Sequence, residues 1–184
     1  MYRSAAVSLV CVLSLISSLS HATPASAYVG QENREIKALA PEDVKAYLAG
    51  KGIGLARAAE LNGYAGPAHV LELGQQLMLT AEQTARTEAV FASMERKAIS
   101  LGMALVDAER GLDKLFATKA ITPALLTRAL EEIGALQAQV RGVHLAAHLE
   151  QVAILTPEQN LRYAQLRGYS GKKASQGTVD HHVH

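Results

Sequence analysis

The chain is poor in cysteine and in aromatic residues. Its 184 residues include one cysteine, Cys11, two phenylalanines, six tyrosines and no tryptophan. A single cysteine excludes an internal disulfide framework, so packing must stabilise the fold. So few aromatic rings disfavour a sandwich or a barrel, whereas abundant alanine and leucine are typical of helices. The composition therefore predicts an all-α protein.

An excess of charge of either sign is also missing. Lysine and arginine together number 18, aspartate and glutamate number 17, and no block of basic residues occurs. Nucleic acid binding requires clustered positive charge on one face or one helix. We therefore expect no nucleic acid partner.

The sequence lacks the motifs of catalytic sites. It contains no G-x-S-x-G, no phosphate-binding glycine loop and no H-E-x-x-H, and Gly52-Ile53-Gly54 is only a fragment of a glycine motif. The single cysteine lies in an apolar run near the N-terminus, and no serine and histidine pairing can be derived. These absences predict a protein that is not an enzyme.

The N-terminus has the pattern of a secretory signal peptide. Arg3 precedes an apolar run from Ala5 to Leu19, and a polar stretch then ends in Ala25-Ser26-Ala27. A charged start, an apolar middle and an A-x-A site are the three parts of a cleavable leader. The apolar run is shorter than the ~20 residues that span a bilayer. We expect an exported mature chain 28–184 without a transmembrane segment.

One five-residue phrase, L-T-x-x-Q, occurs twice, at 79–83 and again at 155–159. In each copy the threonine is suited to cap a helix, and the glutamine three positions later can return a bond to the cap's own N–H. The leucine before the cap can pack against the helix that it opens. These residues are assigned to architecture: Leu79, Thr80, Gln83, Leu155, Thr156 and Gln159. The phrase predicts two helix starts in one helical framework.

Two long helices are predicted, over 81–118 and 123–154. The first has an apolar seam with alternating spacings of three and four, formed by Phe91, Met94, Ala98, Leu101, Leu105, Ala108, Leu112 and Leu115. The short connection at Lys119-Ala120-Ile121 predicts that the two helices form an antiparallel hairpin.

Shorter helices are predicted to flank this hairpin. Two lie within 31–61 and are broken at Gly50-Lys51-Gly52, a third runs from Pro67 to about Met78, and the last ends before Gly168. The predicted organisation is a signal peptide 1–27, short helices 28–62, a hairpin domain 63–169 and a loose tail 170–184.

A pair of histidines on the second long helix is the first candidate for ligand binding. His144 and His148 are four residues apart, so they lie on one helix face and can share a metal ion. Pairing across the hairpin places them near Glu88 and Glu95, which could supply a carboxylate. The alternatives are two histidines that align by chance and ordinary solvated glutamates.

His69 and Glu72 are candidates for the same site if their helix folds back over the hairpin. His69 could instead be an ordinary residue near a helix N-terminus. The tail carries His181, His182 and His184, which could hold a metal weakly or have no role. None of these groups forms a closed or cysteine-based site, so reversible binding of a divalent transition metal is expected.

The leader, the helical hairpin and the two L-T-x-x-Q phrases together resemble the Spy/CpxP-like superfamily of periplasmic proteins. The resemblance covers 63–169. The phrases Glu60-Leu61-Asn62-Gly63-Tyr64 and His69-Val70-Leu71-Glu72-Leu73, with His144-x-x-x-His148, are similar to its heavy-metal sensor and resistance branch. The nickel and cobalt sensors of that branch tend to have a sulfur ligand late in the third helix, where this chain has Gln151 and Val152. This difference leaves zinc, copper and nickel all admissible.

The resemblance implies a periplasmic, stress-responsive homodimer that binds heavy-metal ions through histidine and carboxylate ligands. Other members of the superfamily are ATP-independent chaperones, which implies the alternative that a concave helical surface holds unfolded client proteins. A third alternative is a regulatory role in which the protein docks on a membrane sensor protein.

Overall fold

A computed structural model describes residues 26–169 of the chain. Within this range it has six helices and no strand. The helices are α1 (Pro41–Leu48), α2 (Arg57–Glu60), α3 (Pro67–Glu72), α4 (Ala81–Ala117), α5 (Pro123–Val152) and α6 (Pro157–Leu166). The predicted all-α class is confirmed. The tail with His181, His182 and His184 lies outside the described residues, as does the predicted leader apart from its last two residues.

Both L-T-x-x-Q phrases form capping boxes. The Thr80 hydroxyl accepts from the amide of Gln83, and the Gln83 side chain accepts from the amide of Thr80. Thr156 and Gln159 repeat this arrangement at the start of α6. Each box satisfies two amide groups that the first helical turn cannot pair.

The two capping boxes are also joined to each other, which the sequence did not predict. The side-chain amide of Gln83 donates to Oε1 of Gln159 at 2.7 Å, and Gln159 donates back to Oε1 of Gln83 at 3.0 Å. The same amide groups donate to the carbonyls of Ile154 and Leu77 at 3.0 and 3.1 Å. This glutamine pair therefore ties the chain before α4 to the chain before α6.

Loss of either glutamine is expected to remove most of what the other contributes. We expect Gln83→Ala and Gln159→Ala each to lower the unfolding free energy by about 1–2 kcal/mol, since each removes several part-buried hydrogen bonds. The double variant should cost less than the sum, with a coupling of about 1 kcal/mol in urea unfolding. Gln165→Ala, at an exposed position of α6, is the matched control and should be nearly neutral. Additive losses would contradict the pairing.

The two long helices, α4 and α5, pack against each other. The side-chain amide of Gln151 donates to the Thr87 hydroxyl at 3.1 Å, and both side chains are fully buried. Further along, Leu105 packs with Ile133 and Val140 in an apolar cluster. Apolar burial of this kind is the main term that holds two helices together in water.

The buried stripe of α4 differs from the predicted seam. Its buried residues are Thr87, Ala98, Gly102, Leu105, Val106 and Glu109. Only Ala98 and Leu105 among them belong to the seam. The other seam residues are half-buried, and Leu101, Ala108 and Leu112 pack against the cluster around Leu105, so the seam does face the core. The stripe is wider than predicted because α1 and α3 also pack on α4.

The third helix is shorter than predicted. It ends at Glu72 instead of continuing to Met78, and the intervening residues form turns. Met78 has a left-handed backbone with φ of 51° and is exposed, because the chain must reverse there to enter the cap of α4. No helix within 26–169 has the length and apolar character needed to cross a membrane.

Candidate functional site

A cleft of about 660 Å³ lies between the loops that flank α2 and the faces of α3, α4 and α5. Its wall includes five residues that the sequence singled out: His69, Glu72, Glu95, His144 and His148. Glu88 is exposed and does not line this cleft. The fold thus brings together residues from three helices that lie far apart in the sequence.

His144 is the most enclosed polar group of the cleft. Only 4% of it is exposed, and its Nε2 is buried with no hydrogen-bond partner among the described residues. Gly52 covers the other nitrogen so closely that an added Cβ would lie 3.3 Å from Nδ1. Burial, and next the charge of neighbouring His148, lower the pKa of His144. The ring is therefore held neutral, the form that binds a metal ion.

His148 is oriented by the backbone. Its Nδ1 lies 2.7 Å from the carbonyl oxygen of Tyr64, so that nitrogen carries the proton and donates. In the neutral form of the ring the other nitrogen, Nε2, is the acceptor. Gly66 lies against the ring, and a Cβ there would come within 2.9 Å of Nε2. A histidine whose Nδ1–H donates to a carbonyl while Nε2 accepts has the usual orientation of a metal ligand.

The remaining predicted residues lie nearer the rim. His69 Nδ1 and Glu72 Oε2 are 2.9 Å apart, and both side chains are substantially exposed. Glu95 is partly buried on the α4 wall. A carboxylate and an imidazole paired in this way can each still turn toward an ion in the cleft.

Two cleft residues with ligand chemistry were missed from the sequence, Glu60 and Met94. Met94 was assigned to the apolar seam, where its spacing fits, although its thioether can also serve a soft metal. Glu60 stands at the end of α2 in the Glu60-Leu61-Asn62-Gly63-Tyr64 phrase, whose proximity to the histidines depends on tertiary packing. The only sequence signal for Glu60 was its place in that phrase.

The histidine and carboxylate side chains of the cleft are of the kinds that bind borderline transition metals. In this structure, however, they do not converge on a single point. No three His, Cys, Asp or Glu side chains within 26–169 stand in an arrangement that could hold an ion. The fit is therefore partial. The buried histidine pair offers two nitrogen donors, so a metal site here would need a further ligand from the rim or from outside the described residues.

The enclosure of His144 predicts that acid destabilises the protein. Its pKa is lower folded than unfolded, so between those two values the unfolded chain binds more protons and stability falls as pH falls below about 6.5. We expect the pH dependence of urea unfolding to be shallower in His144→Gln than in the wild type. Both proteins contain the same carboxylates, so comparing them at each pH cancels the contribution of those carboxylates to the pH dependence of stability. Identical pH slopes would contradict the assigned cause.

Comparison with family models, with curated proteins and with solved structures gave no match. The functional argument therefore depends on the cleft itself. Its two buried histidines, the glycines that cover them and the carboxylates beside them carry that argument.

Proposed function

We propose that the protein is an exported, periplasmic binder of heavy-metal ions, acting in metal sensing or resistance without catalytic activity. His144 and His148 provide the central nitrogen donors. His69, Glu72 or Glu95 completes the set from the rim. The ion is a divalent transition metal, zinc, nickel or copper, bound reversibly. In this proposal the chain belongs to the heavy-metal branch of the Spy/CpxP-like superfamily.

The observation that carries the proposal is the buried, unpartnered Nε2 of His144 next to a second buried histidine. Leaving a buried polar group unpaired costs about 1–3 kcal/mol. The neighbouring His148 also disfavours protonation of His144. A metal ion relieves both costs, because it supplies the missing partner and binds the neutral rings.

The proposed assembly is an antiparallel hairpin of α4 and α5 within a homodimer. Hydrogen bonds from Gln83 to Ile154 and from Gln151 to Thr87 support the antiparallel arrangement. Phe116 and Leu130, on either side of the connection between the long helices, are 53% and 52% exposed. Exposed apolar side chains of this size support a partner surface there.

The same exposed side chains support the alternative function, an ATP-independent chaperone that holds unfolded clients. Docking on a membrane sensor protein would use such a surface as well. A client assay separates these functions from metal binding. The chaperone alternative predicts that the mature chain suppresses aggregation of a reduced, unfolding model protein without added metal.

The proposal is tested by calorimetric titration of the mature chain 28–184 with zinc, nickel and copper. We expect one ion per chain with micromolar or tighter affinity for at least one metal. A variant with His181→Ala, His182→Ala and His184→Ala is the control for the tail and should keep this binding. Binding that disappears in the tail variant would move the site out of the cleft. No binding by the wild type would contradict the proposal.

A further inference from the structure

Glu60 lies between the cleft and α6. Its side chain is only 12% exposed. One oxygen, Oε1, accepts hydrogen bonds from the hydroxyls of Tyr163 and Tyr169 at 2.6 and 3.0 Å, and from Nε of Arg167 at 3.3 Å. Three donors from the end of the described chain therefore converge on one carboxylate oxygen.

The second oxygen of Glu60 has no such partners. Oε2 is buried and makes no hydrogen bond with any described residue. It lies 3.8 Å from Nδ1 of His148, the nitrogen that donates to the Tyr64 carbonyl. A buried carboxylate oxygen at this distance from an imidazole N–H is placed to accept a share of that proton after a small rotation.

We propose that Glu60 is the positioning residue of His148 and that it couples the occupancy of the cleft to the C-terminal helix. This inference rests on the proposed metal binding at His144 and His148. It assigns to Glu60 a role that is separate from that of a ligand. The coupled group is the set of donors on Oε1, which we call the C-terminal clasp: Tyr163, Arg167 and Tyr169.

The coupling follows from the charge of the bound ion. With a metal bound at Nε2, the ring of His148 would lose electron density, so its Nδ1–H would become a stronger donor. A nearby carboxylate stabilises that positive ring, and the orphaned Oε2 is the closest anionic oxygen on that side. The carboxylate is then drawn toward His148. Because both oxygens belong to one rigid group, the hydrogen bonds of the clasp to Oε1 must change as well.

The residues of the C-terminal clasp are placed so that a movement of Glu60 would change their surroundings. Tyr163 is 2% exposed and belongs to the apolar cluster that includes Leu77 and Leu155, so its hydroxyl is enclosed away from water. Burial, and next the hydrogen bond to Glu60, raise the pKa of Tyr163, which keeps its phenol a donor. Tyr169 lines the cleft, and Cζ of the Arg167 guanidinium lies 5.9 Å from the centroid of its ring. Movement of Glu60 would thus reach Tyr169, at the end of the described residues.

The test uses zinc as the probe and tyrosine as the reporter. The chain has no tryptophan, so its near-ultraviolet circular dichroism is dominated by tyrosine. We expect zinc to change this spectrum in the wild-type mature chain. Glu60→Gln keeps the size of the side chain but removes its charge, and it should bind zinc about 10- to 100-fold more weakly. It should also lose the spectral change when saturated with zinc.

Two further variants separate positioning from packing. Tyr163→Phe removes one donor to Oε1 of Glu60 and leaves the lining of the cleft intact, so zinc affinity should stay near the wild-type value while the spectral change becomes smaller. Tyr47→Phe, in the separate cluster around Leu105, is the matched tyrosine control and should keep both. Tyr163→Phe keeps the test decisive if Glu60→Gln does not fold.

The outcomes distinguish this inference from the proposed function. If the wild type binds zinc through the histidine pair but Glu60→Gln binds equally well, the positioning role is wrong. If zinc binds without any change in the tyrosine spectrum, the coupling is wrong and metal binding stands. If the wild type binds no zinc, both proposals fail together.

Discussion

The His144→Ala/His148→Ala variant is expected to lose more than about a hundredfold in zinc affinity while remaining helical. Loss of an outer-shell partner alone costs roughly 10- to 100-fold at metal sites, and this variant removes two donors at once. Alanine is the best helix former, so α5 should persist, although the buried volume lost will lower stability. Calorimetry measures the affinity, and far-ultraviolet circular dichroism checks the fold.

His69→Ala is the matched control for this experiment, since it removes an imidazole from the rim of the same cleft. His69 is 40% exposed at its side chain and already pairs with Glu72, so its loss should weaken zinc binding less than the loss of either buried histidine. If His69→Ala costs as much as the double variant, the centre of the site lies at the rim. Unchanged binding in the double variant would overturn the assignment of the buried pair.

Gly102→Ala is expected to lower the unfolding free energy by about 1–3 kcal/mol, the range for forced overpacking. Gly102 is buried in α4 where α1 crosses it. An added Cβ would overlap the carbonyl oxygen of Tyr47 and lie 2.8 Å from its carbonyl carbon, and neither backbone atom can move without displacing α1. In most helix positions the same change is favourable, because alanine restricts the unfolded chain.

For Gly111→Ala, in the same helix, we expect the opposite effect on stability. A Cβ there meets no atom of the described residues within 4 Å, so the substitution should raise stability by about 0.5–1 kcal/mol. Urea unfolding of both variants tests the sign of each effect. Stabilisation by both variants would show that α1 does not pack on Gly102 as described.

The Gly102 contact also bears on the cleft. Helix α1 ends at Leu48, and the loop that follows brings Gly52 against the ring of His144. Displacing α1 should therefore loosen the cover of His144. We expect Gly102→Ala to weaken zinc binding in addition to lowering stability, whereas Gly111→Ala should leave binding unchanged.

Local signals in the sequence predicted the helices well. The predicted caps Thr80 and Thr156 mark the starts of α4 and α6, because a cap depends only on residues within one turn, and Thr122 caps α5 in the same way. The end of α3 was harder to predict, since the turn at Met78 is imposed by the path of the chain into the next cap. The missed packing of α1 on Gly102 has the same origin, a contact between distant parts of the chain.

The candidate site was likewise predictable only where it depends on local sequence. The spacing of His144 and His148 on one helix was sufficient to place them on one face. The roles of Glu60 and Gly66 depend on how the α2 and α3 region folds over α5, which helical periodicity does not encode. Choosing between Glu88 and Glu95 likewise needed the rotation of α4 about its axis, which additional packing partners determine.

The central claim is that a metal ion binds between the buried histidines, and the most direct measurement is anomalous diffraction from crystals of the mature chain grown with zinc. We predict a peak in the cleft within about 2.0–2.1 Å of a ring nitrogen of His144 and of His148, the usual zinc to imidazole distance. A peak confined to the tail histidines, or no peak in the cleft with zinc in excess, would contradict it.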